Sequence, residues 1–418
     1  TYWYHSHSGY QEQTGMYGAM IIEPREPVPF AYDREHVVIL SDWSDEKPER
    51  IVAKLKKEGH YYNQQMRTLG DTWRELRTQG VGDTWQDRAM WNRMRMNDRD
   101  IADVTAATYT YLMNGVTPDG NWQGLFKKGE RVLLRVVNAA AMTIFDLRIP
   151  GLKMTVVASD GQYVEPVTVD EIRLGVAETY DVLVEPDEGA YTLFAQSIDR
   201  GGYARGTLTE AAGLTAPVPE LDPRPVLSHA DMGMGHGGHA GHDMGGMDHS
   251  GHDMQAMEHA GHDMQKTAAD DTSIAPAGFG SRAPVEHAPT EFGFQVDMRA
   301  DQPVDQLNDP GLGLRNNGRH VLTYGELRNL YPTPDPRDPE REIQLHLTGN
   351  MERYMWSMDG IRFADAEPLP LKLNERVRIV LVNDTMMTHP IHLHGMWSDL
   401  ESGHDGYLPR KHTCLLYT

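Results

Sequence analysis

Short apolar segments, each ended by a glycine, proline, asparagine or aspartate, recur along most of this chain. Examples are "EHVVILSDW" (35–43), "RVLLRVVNAA" (131–140), "KMTVVASDG" (153–161) and "GAYTLFAQS" (189–197). Such runs, with turn residues at regular spacing, are typical of β-sandwiches and Greek-key barrels. "GERVLLRVVNAA" is also echoed by "NERVRIVLVNDT" near the other end of the chain, which suggests that one fold occurs twice. We therefore predict an all-β protein.

One region departs from this β pattern. "DEKPERIVAKLKKEGHYYNQQMRTLGDTWRELRTQG" has Pro48 near a helix start and charged residues three to four positions apart, which predicts one or two helices. The predicted organisation is the C-terminal part of a first β domain, a helical connector, a second β domain, a linker and a third, truncated β domain. In the same order these regions span residues 1–44, 45–100, 101–212, 213–290 and 291–418.

Composition excludes several functions. The formal net charge of the 418-residue chain is -22, which argues against a nucleic-acid partner and is compatible with a protein that gathers cations. No run of eighteen apolar residues is present, so we expect no transmembrane helix. Cys414 is the single cysteine, and an internal disulfide is therefore impossible. Thr1 is not an initiator methionine, and the first residues resemble the interior of a strand, so we expect a truncated chain.

Residues 229–266 have a composition unlike the rest of the chain. They contain three ten-residue repeats that end in Gly-His-Asp-Met and have almost no other apolar residue, so we expect this segment to be disordered without a ligand. Thioethers suit Cu(I), and imidazoles suit both copper oxidation states. The segment is therefore predicted to bind several copper ions. Its candidate ligands are His236, His239, His242, Met244, His249, His252, Met254, His259, His262 and Met264.

Two His-x-His pairs lie near opposite ends of the chain. Alternate residues of a strand point to the same face, so His5 and His7 are predicted to share one face, and His392 and His394 another. His389, in "THPIHLHG", is an odd number of positions from His392 and should face elsewhere. The spacing thus predicts two different metal centres served by one segment.

The residues around these pairs resemble a known family. "TYWYHSHSGYQEQTGMYGAMII" and "THPIHLHGMWSDLE" are similar to two of the four copper motifs of the multicopper oxidases. "RIPGLKMTVVASDGQ" and "HLTGNMERYMWSMDG", together with the Met/His segment, more closely resemble the branch of that family found in periplasmic copper-resistance proteins. The resemblance covers nearly the whole chain. It implies three cupredoxin-like Greek-key β-sandwich domains, the first and last incomplete here.

The resemblance also implies a ligand set and a reaction. His5 and His7 would be type 3 copper ligands, His389 a type 1 ligand, His392 a type 2 ligand and His394 a type 3 ligand. Members of the family oxidise their substrate, here cuprous ion or a small phenol, at the type 1 copper. Electrons then pass to a type 2/type 3 cluster where O2 is reduced to water.

The sequence departs from the family pattern in two places. No His-Trp-His-Gly motif precedes "HSH", and the His-Cys-His motif expected near the C-terminus is replaced by "RKHTCLLYT". The tail can be aligned with that motif on Leu415, Leu416 and Tyr417. His412 then matches a histidine of the motif, Thr413 stands where the cysteine should be, and Cys414 stands where a histidine should be. A type 1 site needs two histidines and a cysteine thiolate. His412 and Cys414 therefore remain candidate ligands, and we expect the chain to lack full oxidase activity.

Two other functions stay open at this point. The chain could be a periplasmic copper-binding protein that sequesters copper through the Met/His segment without catalysis. A copper nitrite reductase is also built from cupredoxin domains, but two-domain reductases have neither such an insertion nor connecting helices. We expect a periplasmic location in each case.

Overall fold

The computed structural model describes residues 1–234 and 274–416. Three α-helices lie in these residues: α1 (Pro48–Leu55), α2 (Leu69–Thr78) and α3 (Val81–Arg93). The strands are β1 (Tyr2–His5), β2 (Tyr17–Met20), β3 (Arg34–Trp43), β4 (Thr110–Met113), β5 (Trp122–Leu125), β6 (Val132–Asn138), β7 (Phe145–Arg148), β8 (Met154–Ser159), β9 (Gln162–Val169), β10 (Glu171–Leu174), β11 (Thr179–Val184), β12 (Ala190–Ser197), β13 (Tyr203–Thr209), β14 (Arg341–Asn350), β15 (Met355–Met358), β16 (Val377–Asn383), β17 (His389–His392), β18 (Ser398–Asp399), β19 (Arg410–Lys411) and β20 (Thr413–Leu416).

Two large sheets form the centre of the molecule. One has the strand order β4-β3-β6-β11-β8-β9, and the other has the order β10-β7-β12-β13-β5. Strands β6 and β11 are buried along their whole length, and apolar side chains such as Val136, Val182 and Leu193 belong to one continuous core. The predicted all-β class is confirmed.

Strand β3 corrects one predicted boundary. It pairs in parallel with β6, from Arg34 opposite Val132 to Leu40 opposite Asn138, and antiparallel with β4. It therefore belongs to the central sandwich and not to the first domain, to which the boundary at residue 44 assigned it. The physical reason is that its apolar residues complete a sheet whose other strands come about a hundred residues later.

The helices form an insertion between β3 and β4. Pro48 occupies the first turn of α1, where its missing N–H costs no hydrogen bond. Helix α2 begins with a capping box, in which Thr68 and Asp71 each accept a hydrogen bond from the other's backbone. The structure thus has three helices within the predicted connector, one more than the highest number predicted.

The C-terminal part of the chain contains smaller sheets. β14 lies between β15 and β16, β17 pairs with β20, and β18 pairs with β19. The third domain was predicted to start at residue 291, but its regular strands start only at Arg341. Before them, Val321 and Asn329 form single bridges to β10 and β9 of the central sandwich. This stretch covers strand edges that would otherwise expose unpaired backbone groups.

The first residues of the predicted copper-binding segment are packed. Met232 is buried in the core, and Asp231 accepts hydrogen bonds from the backbone N–H and the hydroxyl of Ser228. The prediction of disorder is therefore wrong for residues 229–234, because two methionines there pack as apolar side chains. The ten candidate ligands from His236 to Met264 lie outside the described residues.

Within the described residues, we find no helix that combines the length and the apolar character needed to cross a membrane.

Candidate metal centre

The two His-x-His pairs meet in space. The ring centroids of His5 and His7 are 4.6 Å apart, His7 is 4.6 Å from His394, and His394 is 4.8 Å from His392. The imidazoles therefore form a continuous row, which we call the imidazole row. One half is held by the hairpin of β1 and β2, and the other by β17 and the turn after it. His7, His392 and His394 are exposed, so ions can reach this row from solvent.

Hydrogen bonds orient the row at its C-terminal end. His392 Nδ1 lies 2.6 Å from the carbonyl oxygen of His412, which can only accept a hydrogen bond. His392 Nδ1 therefore carries the proton, and its Nε2 is left with a free lone pair. A hydrogen bond from the other ring nitrogen to a carbonyl is the usual means of orienting a metal-binding histidine. His412 continues the row, at 5.5 Å from His392, and its other neighbour is Trp397 at 5.2 Å.

The N-terminal end of the row is partly buried. The His5 ring stacks on Trp3 at 4.4 Å, and no hydrogen bond reaches its buried Nδ1 within the described residues. Burial lowers the pKa of His5, and the neighbouring imidazoles, His7 first among them, lower it further. His5 is therefore neutral at pH 7, which is the state that binds a metal ion.

Glu12 lies beside His5 and was missed in the sequence. Its Oε1 is 3.2 Å from His5 Nδ1. Burial, and to a smaller extent the charge of Asp42, raises the pKa of Glu12 to about 7. No pattern in "HSGYQEQTG" distinguishes this glutamate from a solvent-exposed one, because the turn between β1 and β2 has no regular period.

His389 lies on the other face of β17, as the residue spacing predicts. In the pairing of β17 with β20, His389 is opposite Leu416 and His392 is opposite Thr413, so the two histidines point to opposite sides. The His389 ring is 4.2 Å from that of Trp356, and its Nδ1 lies 3.0 Å from the Met387 carbonyl oxygen. Burial lowers the pKa of His389, although this hydrogen bond opposes the shift.

The register places Cys414 opposite Ile391, on the same face as His389. The two are diagonal neighbours across the strands, for which side chains start roughly 7–8 Å apart. Burial raises the pKa of the Cys414 thiol to about 12, so it is protonated at neutral pH. Cys414 and His389 thus share one face of the β17–β20 pair, and their role as type 1 ligands stays a prediction.

Lys411 holds the strand that follows it against the central sandwich. Its buried Nζ is 3.1 Å from Asp160, 3.0 Å from Glu178 and 2.9 Å from the Ser159 hydroxyl. Burial lowers the pKa of Lys411, but the two carboxylates outweigh it and the pKa lies well above its ordinary value. Asp160 also accepts a hydrogen bond from the His412 backbone N–H. This buried ion cluster thereby positions His412 at the end of the row.

Comparisons with known proteins identify the family. Models of the multicopper oxidase family match residues 1–27, 34–213 and 336–416. The chain is 57% identical over 428 residues to the copper resistance protein A homolog of Pseudomonas syringae pv. tomato, with 99% of this chain and 69% of the relative covered. It is 57% identical to the copper resistance protein A of Escherichia coli, over 99% of this chain and 70% of that protein. The chain belongs to the multicopper oxidase family. Within it, the chain falls in the copper-resistance protein A branch.

Solved structures of multicopper oxidases share the fold. The model superposes on Fet3p, a multicopper oxidase that functions in iron import, with a TM-score of 0.55 at 15% identity. It matches the laccase from Botrytis aclada with a TM-score of 0.50 at 15% identity. The chain spans 64% of the length of the first structure and 62% of the second. The cupredoxin-like fold predicted from the sequence is thereby confirmed.

The donors of the imidazole row suit the copper cofactor of a multicopper oxidase. Imidazole nitrogen is a good ligand for both copper oxidation states. The row offers His5 in its neutral form, a buried nitrogen with no hydrogen bond, and His392 with a free Nε2. The residues present therefore fit copper on chemical grounds.

Proposed function

We propose that His5, His7, His392 and His394 hold copper in an oxidase that serves copper resistance. Its substrates would be cuprous ion or small phenols, and O2 would be reduced to water. The observation that supports this proposal is the imidazole row, since two pairs from opposite ends of the chain come within 4.6 Å of each other. Imidazole nitrogen is a good copper ligand, and four of these rings lie side by side here.

The protein contributes orientation and proton handling to this reaction. Bound copper would supply the one-electron chemistry that joins substrate oxidation to O2 reduction. His392 donates its Nδ1 proton to the His412 carbonyl and so keeps Nε2 available as a ligand. Reduction of O2 to water takes up protons as well as electrons. Glu12 can hold a proton at Oε1, 3.2 Å from His5 Nδ1, which is close enough to serve the same centre.

A second function is favoured by the state of Cys414. Its thiol is protonated in the metal-free chain, so it is not the thiolate that a type 1 copper needs. The chain would then bind copper without turnover, through the imidazole row and the Met/His segment. Either function fits a protein that protects the periplasm from copper. Fractionation of cells that express the chain would test this location.

Copper loading under air distinguishes the two functions. An oxidase should show the intense blue absorption of a copper thiolate and consume O2 with dimethoxyphenol as substrate. Binding of several copper ions with neither property would favour sequestration. In both cases His394→Ala should lower the number of bound copper ions by about one, because the variant removes one imidazole ligand for copper from the row. The surface variant His320→Ala is the matched control, because His320 is exposed and its side chain pairs with Glu326. Equal copper counts in all three proteins would refute the role of the row.

A further inference from the structure

A second group of histidines and carboxylates lies outside the imidazole row. His287 Nδ1 is 2.8 Å from Glu291 Oε2, which is 3.4 Å from His346 Nδ1. His346 Nδ1 is in turn 2.7 Å from Asp384 Oδ2, which is 3.5 Å from His287 Nδ1. The four atoms thus close a ring in which nitrogen and oxygen alternate, and all of them lie within 4.8 Å of one another. We call these residues the four-donor site.

Three separate segments of the chain build the four-donor site. His287 precedes a short 3-10 helix (Pro289–Phe292) that contains Glu291, His346 lies in β14, and Asp384 directly follows β16. Glu291, His346 and Asp384 are almost completely buried, and His287 is mostly buried. The site therefore fastens the segment before the C-terminal sheet to two neighbouring strands of that sheet.

Hydrogen bonds leave one oxygen of each carboxylate directed at both imidazoles. Glu291 Oε1 accepts from the Ala288 backbone N–H at 2.9 Å, and Asp384 Oδ1 accepts from the Ala300 backbone N–H at 2.7 Å. These bonds orient the carboxylates and occupy the oxygens that do not face the ring. Carboxylates that bind metal ions are commonly held in place by hydrogen bonds of this kind.

The hydrogen-bond geometry of His287 points to a cation at the centre. Its Nε2 lies 3.2 Å from the Ala300 carbonyl oxygen, which can only accept, so Nε2 carries the proton. In neutral His287 the Nδ1 lone pair then faces carboxylate oxygens of Glu291 and Asp384. These lone pairs repel one another unless a positive charge lies between them. Within the described parts of the chain, no lysine or arginine side chain pairs with either carboxylate. The two negative charges are therefore matched by two protons or by one divalent ion.

We propose that the four-donor site binds one divalent transition-metal ion, of the class of Zn²⁺ or Cu²⁺, through two imidazole nitrogens and two carboxylate oxygens. Bonds from zinc to such atoms are about 2.0–2.2 Å long, so donors of one ion lie roughly 3 to 4.4 Å apart. Two neighbouring donor pairs already lie at 3.4 and 3.5 Å. The other two, at 2.8 and 2.7 Å, need only move slightly apart. The ion neutralises the buried charge and joins the three segments, so the site is structural and independent of the proposed copper oxidation.

The test uses the full chain, stripped of metal with a chelator and titrated with Zn²⁺. The wild type should bind one additional zinc ion tightly. In Asp384→Asn and in Glu291→Gln, the affinity for that ion should be at least about 100-fold lower. Both variants keep the oxygen that accepts from the backbone. His320→Gln, which alters an exposed histidine–glutamate pair, should behave as the wild type. Zinc ions on other parts of the chain are common to all four proteins and cancel in the comparison.

Equal zinc counts and affinities in the wild type and both variants would overturn the proposal. If the variants fail to fold, crystals of the wild type grown with Zn²⁺ decide the question by anomalous scattering at the zinc edge. A peak within about 2.3 Å of all four donor atoms supports the site. A map with no peak between His287 and Asp384 refutes it.

Discussion

Replacing Lys411 by methionine should be among the most damaging single changes in this protein. The side chains of Lys411, Asp160 and Glu178 are completely buried, and the lysine is the cation between the two carboxylates. Methionine has a similar length and volume, so little packing is lost. The carboxylates, however, stay in the interior without their counter-ion. Removing one member of a buried ion pair costs about 3–5 kcal/mol in the free energy of unfolding.

Urea unfolding followed by tryptophan fluorescence measures this cost. Lys153→Met is the matched control, since Lys153 pairs with Asp170 but its side chain is 64% exposed. An exposed pair of this kind contributes about 1 kcal/mol or less. Lys411→Met should also loosen β20, and weaken copper binding at the end of the row near His412. A loss of stability in Lys411→Met no larger than in Lys153→Met would refute the reasoning.

Three further outcomes are expected. Gly161→Ala should destabilise the protein by about 1–3 kcal/mol, because Gly161 has a φ of 76° and a Cβ there would lie 2.3 Å from the Tyr2 ring. Gly189→Ala is the control, since Gly189 has a φ of 87° but open space around it, and its loss of stability in the same urea assay should be smaller. Cys414 in the metal-free native protein should react with a disulfide reagent at pH 8 at least about 100-fold more slowly than in urea, since its surroundings raise its pKa to about 12. Equal rates would contradict this raised pKa. Deleting residues 235–266 should lower the bound copper count and leave the melting temperature unchanged, and a lower melting temperature would show that the segment stabilises the fold.

The sequence predicted those features that depend on short-range patterns. The all-β class followed from apolar runs and turn residues, and the opposite faces of His389 and His392 followed from strand alternation. Strand β3 was assigned to the wrong domain, because its partner β6 begins 98 residues further along and no local pattern shows the pairing. The four-donor site was missed for the same reason, since its members come from three segments and only His287 and Glu291 have a helical spacing.

The imidazole row also has a consequence for how the protein is made. His7 and His394 are 387 positions apart (394 − 7). At synthesis rates of about 5–20 residues per second, the first pair emerges roughly 20 to 80 seconds before the second. During that time His5 and His7 face the surroundings without their partners and can take up whichever metal ion they meet. On the proposed function, copper supplied after synthesis meets both pairs together, whereas copper supplied during synthesis meets only His5 and His7.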